Sequence, residues 1–90
     1  MNKVKKVIHR KLGRERSLGL AFCEDGEIHI DERLKGIEYL DTIIHEVMHV
    51  QNPRWSEIKV QGHATEMARI LWDVGIRRIT ELLNSDSPSQ

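Results

Sequence analysis

Residues His45-Glu46-Val47-Met48-His49 place two imidazoles and a carboxylate, at H-E-x-x-H spacing, inside an apolar run from Leu40 to Val50. Ile37, Leu40, Ile44, Val47 and Met48 recur at helical intervals and Ile43 widens the stripe, so the spacing predicts an amphipathic helix. Residues four apart on a helix lie one above the other, which puts both imidazoles on one face. At about 100° per residue they fall beside the apolar stripe, so the stripe can pack on a sheet while the imidazoles face elsewhere. Two imidazoles so arranged suit two corners of a tetrahedral zinc site. Glu46 is displaced around the helix, placed to act on water activated by the metal rather than to hold the ion. Glu38 and Asp41 fall near the helix start, where negative charge suits the dipole. Asp41 lies one turn before His45 and could orient that ring; a plain helix-start carboxylate is the simpler reading. Asn52-Pro53 ends the helix, because the residue before proline avoids the α region.

The segments before this helix read as a small sheet. Val4, Val7, Ile8 and Leu12 fit a helix or a bent strand equally by period; a strand is preferred because the next two segments form a hairpin that needs a third partner. Gly13 to Ser17 is a polar loop. Leu18, Leu20 and Phe22 alternate with Gly19, Ala21 and Cys23, Asp25-Gly26 is a two-residue turn signal, and Ile28 and Ile30 alternate with His29 and Asp31. The expectation is that Leu18, Leu20 and Phe22 share a face with Ile28 and Ile30. His9 and His29 read as ordinary strand histidines, with His29 turned away from the core. Asp31 to Gly36 is a connection.

After Pro53, Ser56 is the expected N-cap of a second helix running to about Leu83. Its stripe is Val60, Ala64, Met67, Leu71 and Val74, resuming at Leu82. Arg78 frays the stripe, Ile79 partly fills the gap, and Gly75 marks a kink or break. Trp55 and Trp72 read as packing residues and Cys23 as a small buried hydrophobe. Residues 1–84 form one domain, and 85–90 belong to a polar, disordered tail.

Two histidines do not complete a zinc site; a third protein ligand is required, with water in the fourth position. The candidates are Glu57, His63 and Glu66. Val60, Ala64, Met67 and Leu71 lie within roughly 80° on one side of Glu57, so this charged residue borders the buried stripe, and metal ligation would account for it there. His63 lies at the far edge of the stripe and could turn inward. Glu66 points nearly opposite and is most simply a solvated charge.

A chain of 90 residues holds a small core and is marginal alone, which a bound metal would offset. Lys+Arg and Asp+Glu are both 14, and this balance argues against nucleic acid and membrane surfaces as partners. Lys3, Lys5, Lys6, Arg10, Lys11, Arg14 and Arg16 make the first segment locally basic, most simply as a solvated strand face. A single cysteine, no apolar stretch of signal-peptide length after Met1, and no run of transmembrane length set the expectation of a cytoplasmic protein.

The segments Ile28 to Leu34, Leu40 to His49, Pro53 to Glu57, Val60, and Ala68 to Gly75 resemble the zincin metallopeptidases. The likeness is to the gluzincin branch and its minimal, single-domain members of phage and prokaryote type (minigluzincins). It covers roughly the last two-thirds of the folded chain. The H-E-x-x-H part is specific on an amphipathic helix; the remainder is a looser pattern. The resemblance implies an α+β, zincin-like fold: a small three-stranded twisted sheet on the H-E-x-x-H helix, followed by a long glutamate helix. It implies Zn2+ held by His45, His49 and Glu57, Glu46 as general base, and hydrolysis of peptide bonds by an activity that could be latent. It also implies a peptide or protein substrate docked by backbone pairing on an edge strand near Glu27–Asp31. An unpaired edge would also permit a homo-oligomer, an edge-strand dimer that blocks its own cleft. Larger zincins carry a further domain and a Tyr or His that stabilises the oxyanion. Neither is matched here, and His63, Tyr39 and Arg54 are the candidates for that role. The SprT-like branch uses a histidine after a glycine as third ligand, which Gly62-His63 loosely echoes. The alternative function is a non-catalytic zinc-stabilised module, such as a phage assembly or regulatory factor, with a site closed by four protein ligands.

Overall fold

A computed structural model of the chain describes residues 2–13 and 17–76. The elements run β1 (Lys6–Arg10), β2 (Gly19–Phe22), β3 (Glu27–Asp31), α1 (Gly36–Gln51) and α2 (Glu57–Leu71), with a π-helical turn, Trp72–Ile76, directly following α2. This is the expected α+β architecture of a three-stranded sheet, a first helix and a second helix. The first segment is a strand, as the need for a third partner required. Arg78, Ile79, Leu82, the helix end near Leu83 and the 85–90 tail lie outside the described residues, as does most of the loop before Ser17.

The strand order is β1-β3-β2, with β1 parallel and β2 antiparallel to β3. β3 is therefore central and has no free edge. This corrects the expectation of a docking edge at Glu27–Asp31; the strand with an unpaired side next to α1 is β2. The hairpin also differs from its two-residue expectation: four residues, Cys23 to Gly26, join Phe22 to Glu27. Gly26 adopts φ 66°, and a Cβ there would lie 2.6 Å from the Lys3 carbonyl oxygen, so both backbone conformation and space require glycine. Its own carbonyl accepts from Lys5 N–H at 2.6 Å and ties the turn to the start of β1.

The register reverses the expected face of β2. Gly19 lies opposite Ile30 and Ala21 opposite Ile28, whereas Leu20 lies opposite His29. The small residues thus face α1, and Leu18 and Phe22 remain 47% and 41% exposed. Ile28, Ile30 and Val50 form the core, joined by Val4, Ala21, Leu34, Tyr39, Ile43 and Val47. On the outer face, Arg10 Nε donates to His29 Nδ1 at 2.8 Å, which leaves the His29 proton on Nε2 to donate to Glu27 Oε1 at 2.6 Å.

Asp31 closes the sheet end. Its carboxylate accepts from Arg33 Nε at 2.9 Å, Arg33 Nη2 at 2.6 Å, the Arg33 backbone N–H at 3.0 Å and the Leu12 N–H at 3.4 Å. The Arg33 hydrogen bonds hold the Asp31 carboxyl well below the usual carboxylate range.

α1 ends where Asn52 donates its N–H to the Met48 carbonyl at 2.8 Å, just before Pro53. Ser56 caps α2 as expected, its hydroxyl oxygen accepting from Lys59 N–H at 3.1 Å. α2 buries Val60, Ala64 and Ala68 completely or nearly so, a strict four-residue ridge. Val60 and Ala64 were expected, but the stripe continues through Ala68 instead of Met67 and Leu71, which stay 44% and 37% exposed, and Val74 is 68% exposed. Small side chains let the helices approach closely, and the larger residues fall on the flank. Trp72 reaches Gly36, so α2 runs back along the whole of α1. Gly75 falls within the π-helical turn, and the final segment expected beyond it lies outside the described residues.

Candidate metal centre

The short Asn52–Ser56 connection returns the chain so that Glu57, first residue of α2, stands over the last turn of α1. His45 and His49 project from that face with ring centroids 4.8 Å apart. Their Nε2 atoms are 3.1 Å apart; Glu57 Oε1 is 2.6 Å from His45 Nε2, and Oε2 is 2.9 Å from His49 Nε2. The three side chains form a group that could hold a metal ion. Ligand atoms about 2.0–2.1 Å from a tetrahedral zinc are separated by about 3.3 Å, so the two imidazole nitrogens are nearly at that spacing, and the carboxylate oxygens would have to withdraw by about 0.4–0.7 Å to accept an ion. Two imidazole nitrogens and one carboxylate are also a donor set that borderline-soft divalent metals take. Among the described residues, the sequence-derived set of His45, His49 and Glu57 is the set brought together.

The group opens into a cleft of about 730 Å3 between β2, α1 and α2. Gly19, Ala21 and Cys23 form one wall, Thr42 and Glu46 the floor, and Gln61 and Thr65 the α2 side. Glu46 is 8% exposed, and burial raises its carboxyl pKa above the ordinary value. The neighbouring His45 and His49 pull the other way, and Glu57 adds to the rise. A carboxylate held dry beside two imidazoles is suited to accept and return a proton.

The other candidates go elsewhere. His63 packs its ring against Trp55 at 5.1 Å, and Lys59 Nζ sits 4.3 Å from the Trp55 ring. His63 is thus neither a ligand nor at the cleft, and Trp55 has the packing role expected of it. Tyr39 faces β1, its hydroxyl 2.8 Å from His9 Nε2, and Arg54 lines a separate depression beside Pro53 and Trp55. None of the three proposed oxyanion stabilisers lines the cleft. Asp41 accepts from Thr65 Oγ1–H at 3.1 Å and ties the helices together, in place of the suggested bond to His45. Glu66 pairs with Arg69 on the exposed side of α2, a solvated charge as expected. Cys23 is half-buried and its thiol donates to the His49 carbonyl at 3.3 Å.

Sequence reasoning missed Gly19. The Gly19-Leu20-Ala21 alternation carried the signal, since small residues at every second strand position mark a face pressed against a neighbour. No helix among the described residues is long and apolar enough to cross a membrane. The chain matches no protein-family model, no curated protein and no solved structure.

Proposed function

We propose that this chain is a zinc-dependent metallopeptidase of the zincin type, with His45, His49 and Glu57 holding the ion and Glu46 as general base. The observation that carries the reading is the convergence of the His45 and His49 Nε2 atoms, 3.1 Å apart, on the Glu57 carboxylate, whose oxygens lie 2.6 and 2.9 Å from them, at the mouth of a cleft floored by the buried Glu46. Zinc bound there would supply Lewis acidity, lowering the pKa of water from about 15.7 toward roughly 7 and polarising a carbonyl. Glu46 takes the proton from the attacking water and delivers one to the leaving amine.

The peptide lies on β2. Asp31 N–H donates to the Leu18 carbonyl at 2.9 Å, so Leu18, Leu20 and Phe22 direct their backbone groups toward β3. Gly19 and Ala21 accordingly direct theirs into the cleft. The Ser17 hydroxyl already donates to the Gly19 carbonyl at 2.5 Å, which leaves Ala21 as the pairing point for an extended chain. Backbone pairing gives sequence-tolerant affinity. His63, packed against Trp55, does not supply the fourth ligand that a closed, purely structural site would use.

The test is hydrolysis of an internally quenched peptide mixture by the zinc-loaded protein and by Glu46→Gln. The proposal expects cleavage by the parent, abolished by a chelator and restored by zinc. Glu46→Gln should retain zinc and lose about 10²–10⁴-fold in rate. Equal cleavage by the two proteins would remove Glu46 from the reaction, and no cleavage by the zinc-loaded parent would favour the structural module.

A further inference from the structure

β2 passes α1 so closely that its backbone at Gly19 leaves no room for a side chain. A Cβ on Gly19 would stand 2.8 Å from Glu46 Cγ, 2.9 Å from Glu46 Oε2 and 3.0 Å from Thr42 Cγ2. Non-bonded carbons in contact sit at about 3.5–4.0 Å, so a methyl group would have to displace something. The need for glycine is steric, not conformational: among the described glycines, positive φ occurs at Gly26 and Gly36. Nor is Gly19 a bulge, since it keeps its place in the ladder opposite Ile30. Two of the three obstructing atoms belong to the Glu46 side chain, one at its Cγ and one at its carboxylate end, and this side chain is the softest element in the contact. Glu46 is 92% buried, so the direction left to it is the cleft and the ligand group.

We propose that Gly19 is a positioning residue whose missing side chain forms the notch that seats Glu46 against β2. The notch fixes where the Glu46 carboxylate stands relative to His45, His49 and Glu57. This rests on the peptidase reading, in which Glu46 handles the proton. A carboxylate pushed out by the Gly19→Ala methyl still lies in the site, but off its line to the attacking water. A misplacement of about 1 Å costs about 10²-fold in rate, so kcat should fall by that factor while KM changes by less than about threefold.

The deciding measurement does not need turnover. Acetohydroxamic acid chelates zinc and hydrogen-bonds to a carboxylate standing beside the metal, so its affinity for the zinc-loaded protein reports the placement of Glu46. Titration calorimetry should show about tenfold weaker binding for both Gly19→Ala and Glu46→Gln, with the double variant no weaker than either alone. Parent-like affinity in Gly19→Ala would overturn the notch. Parent-like affinity in Glu46→Gln would instead show that Glu46 does not stand beside the metal, which removes the peptidase reading and the notch with it. Should Gly19→Ala fold poorly, its effect is read as a thermal midpoint in zinc-free protein, in the parent and in a Glu46→Ala background. The loss should be large in the first and much smaller in the second, where the side chain it meets is gone; equal losses would overturn the proposal.

Discussion

Glu57→Ala separates a metal ligand from an exposed surface carboxylate. The Glu57 side chain is 66% exposed, and its described contacts are with His45 and His49 Nε2. Its removal should therefore leave the zinc-free protein close to the parent in stability. The zinc-loaded protein should behave differently. Losing a mere supporting partner of a metal ligand costs 10- to 100-fold in affinity, so losing one of three ligands should cost at least about 100-fold. With free zinc at about 1,000 times the parent's Kd, binding stabilises the parent by about 4.1 kcal/mol, and a 100-fold weaker variant by about 1.4 kcal/mol. For a domain of this size each kcal/mol moves Tm by about 4–8 °C, so the zinc-induced shift should fall by about 11–22 °C. The assay is differential scanning fluorimetry at fixed free zinc, with His63→Ala as control because its ring packs on Trp55. An undiminished zinc shift in Glu57→Ala, or an equal loss in His63→Ala, would refute the ligand assignment.

Other parts of the structure make their own predictions. Asp31→Asn should lower the urea midpoint at neutral pH, because the carboxylate organises Arg33 and the Leu12 N–H. Its pKa in the folded chain lies below the unfolded value of about 3.9, so the unfolded chain binds the proton first as the pH falls. The contribution is whole above about pH 4 and fades below it, so in zinc-free protein the gap between parent and variant should close in acid; a constant gap would contradict the linkage. Ala64→Leu should cost about 1–3 kcal/mol in chemical denaturation, since Ala64 is 0% exposed in the ridge packed on α1; a neutral result would mean the helices are less close. Ser56→Ala should cost about 1 kcal/mol through loss of the cap on Lys59 N–H. Burial raises the Glu46 pKa, so keeping that carboxylate ionised is a cost to the zinc-free fold that grows as pH rises. Glu46→Gln should then leave the zinc-free protein at least as stable as the parent at neutral pH, and a clear loss would show that the carboxylate has a structural partner.

The parts of this molecule legible in sequence are those governed by short-range geometry. The four-residue interval from His45 to His49 places two rings on one face whatever else the chain does. Pro53 and Ser56 mark one helix end and the next start so narrowly that Glu57 is returned to the same place. The parts that were misread depend on tertiary approach. Alternation in β2 reveals two faces but not which is inward; ranking by side-chain size favours Leu18, Leu20 and Phe22, whereas proximity to α1 admits only Gly19 and Ala21. On α2 the same bias favours Met67 and Leu71 over Ala68. Sheet order is not written locally at all: adjacency in sequence suggests that β3 could be an edge, but β1 pairs with it in parallel and makes β2 the edge beside the cleft. The oxyanion donor has no local pattern, and Tyr39, Arg54 and His63 each have other neighbours.

His45, His49 and Glu57 together should bind one metal ion. Metal content by mass spectrometry, measured on purified protein equilibrated with zinc and then freed of unbound metal, tests it against His49→Ala. Close to one zinc per parent chain is expected, and almost none in the variant. Equal metal in both proteins, or a parent that takes up no zinc, would contradict it.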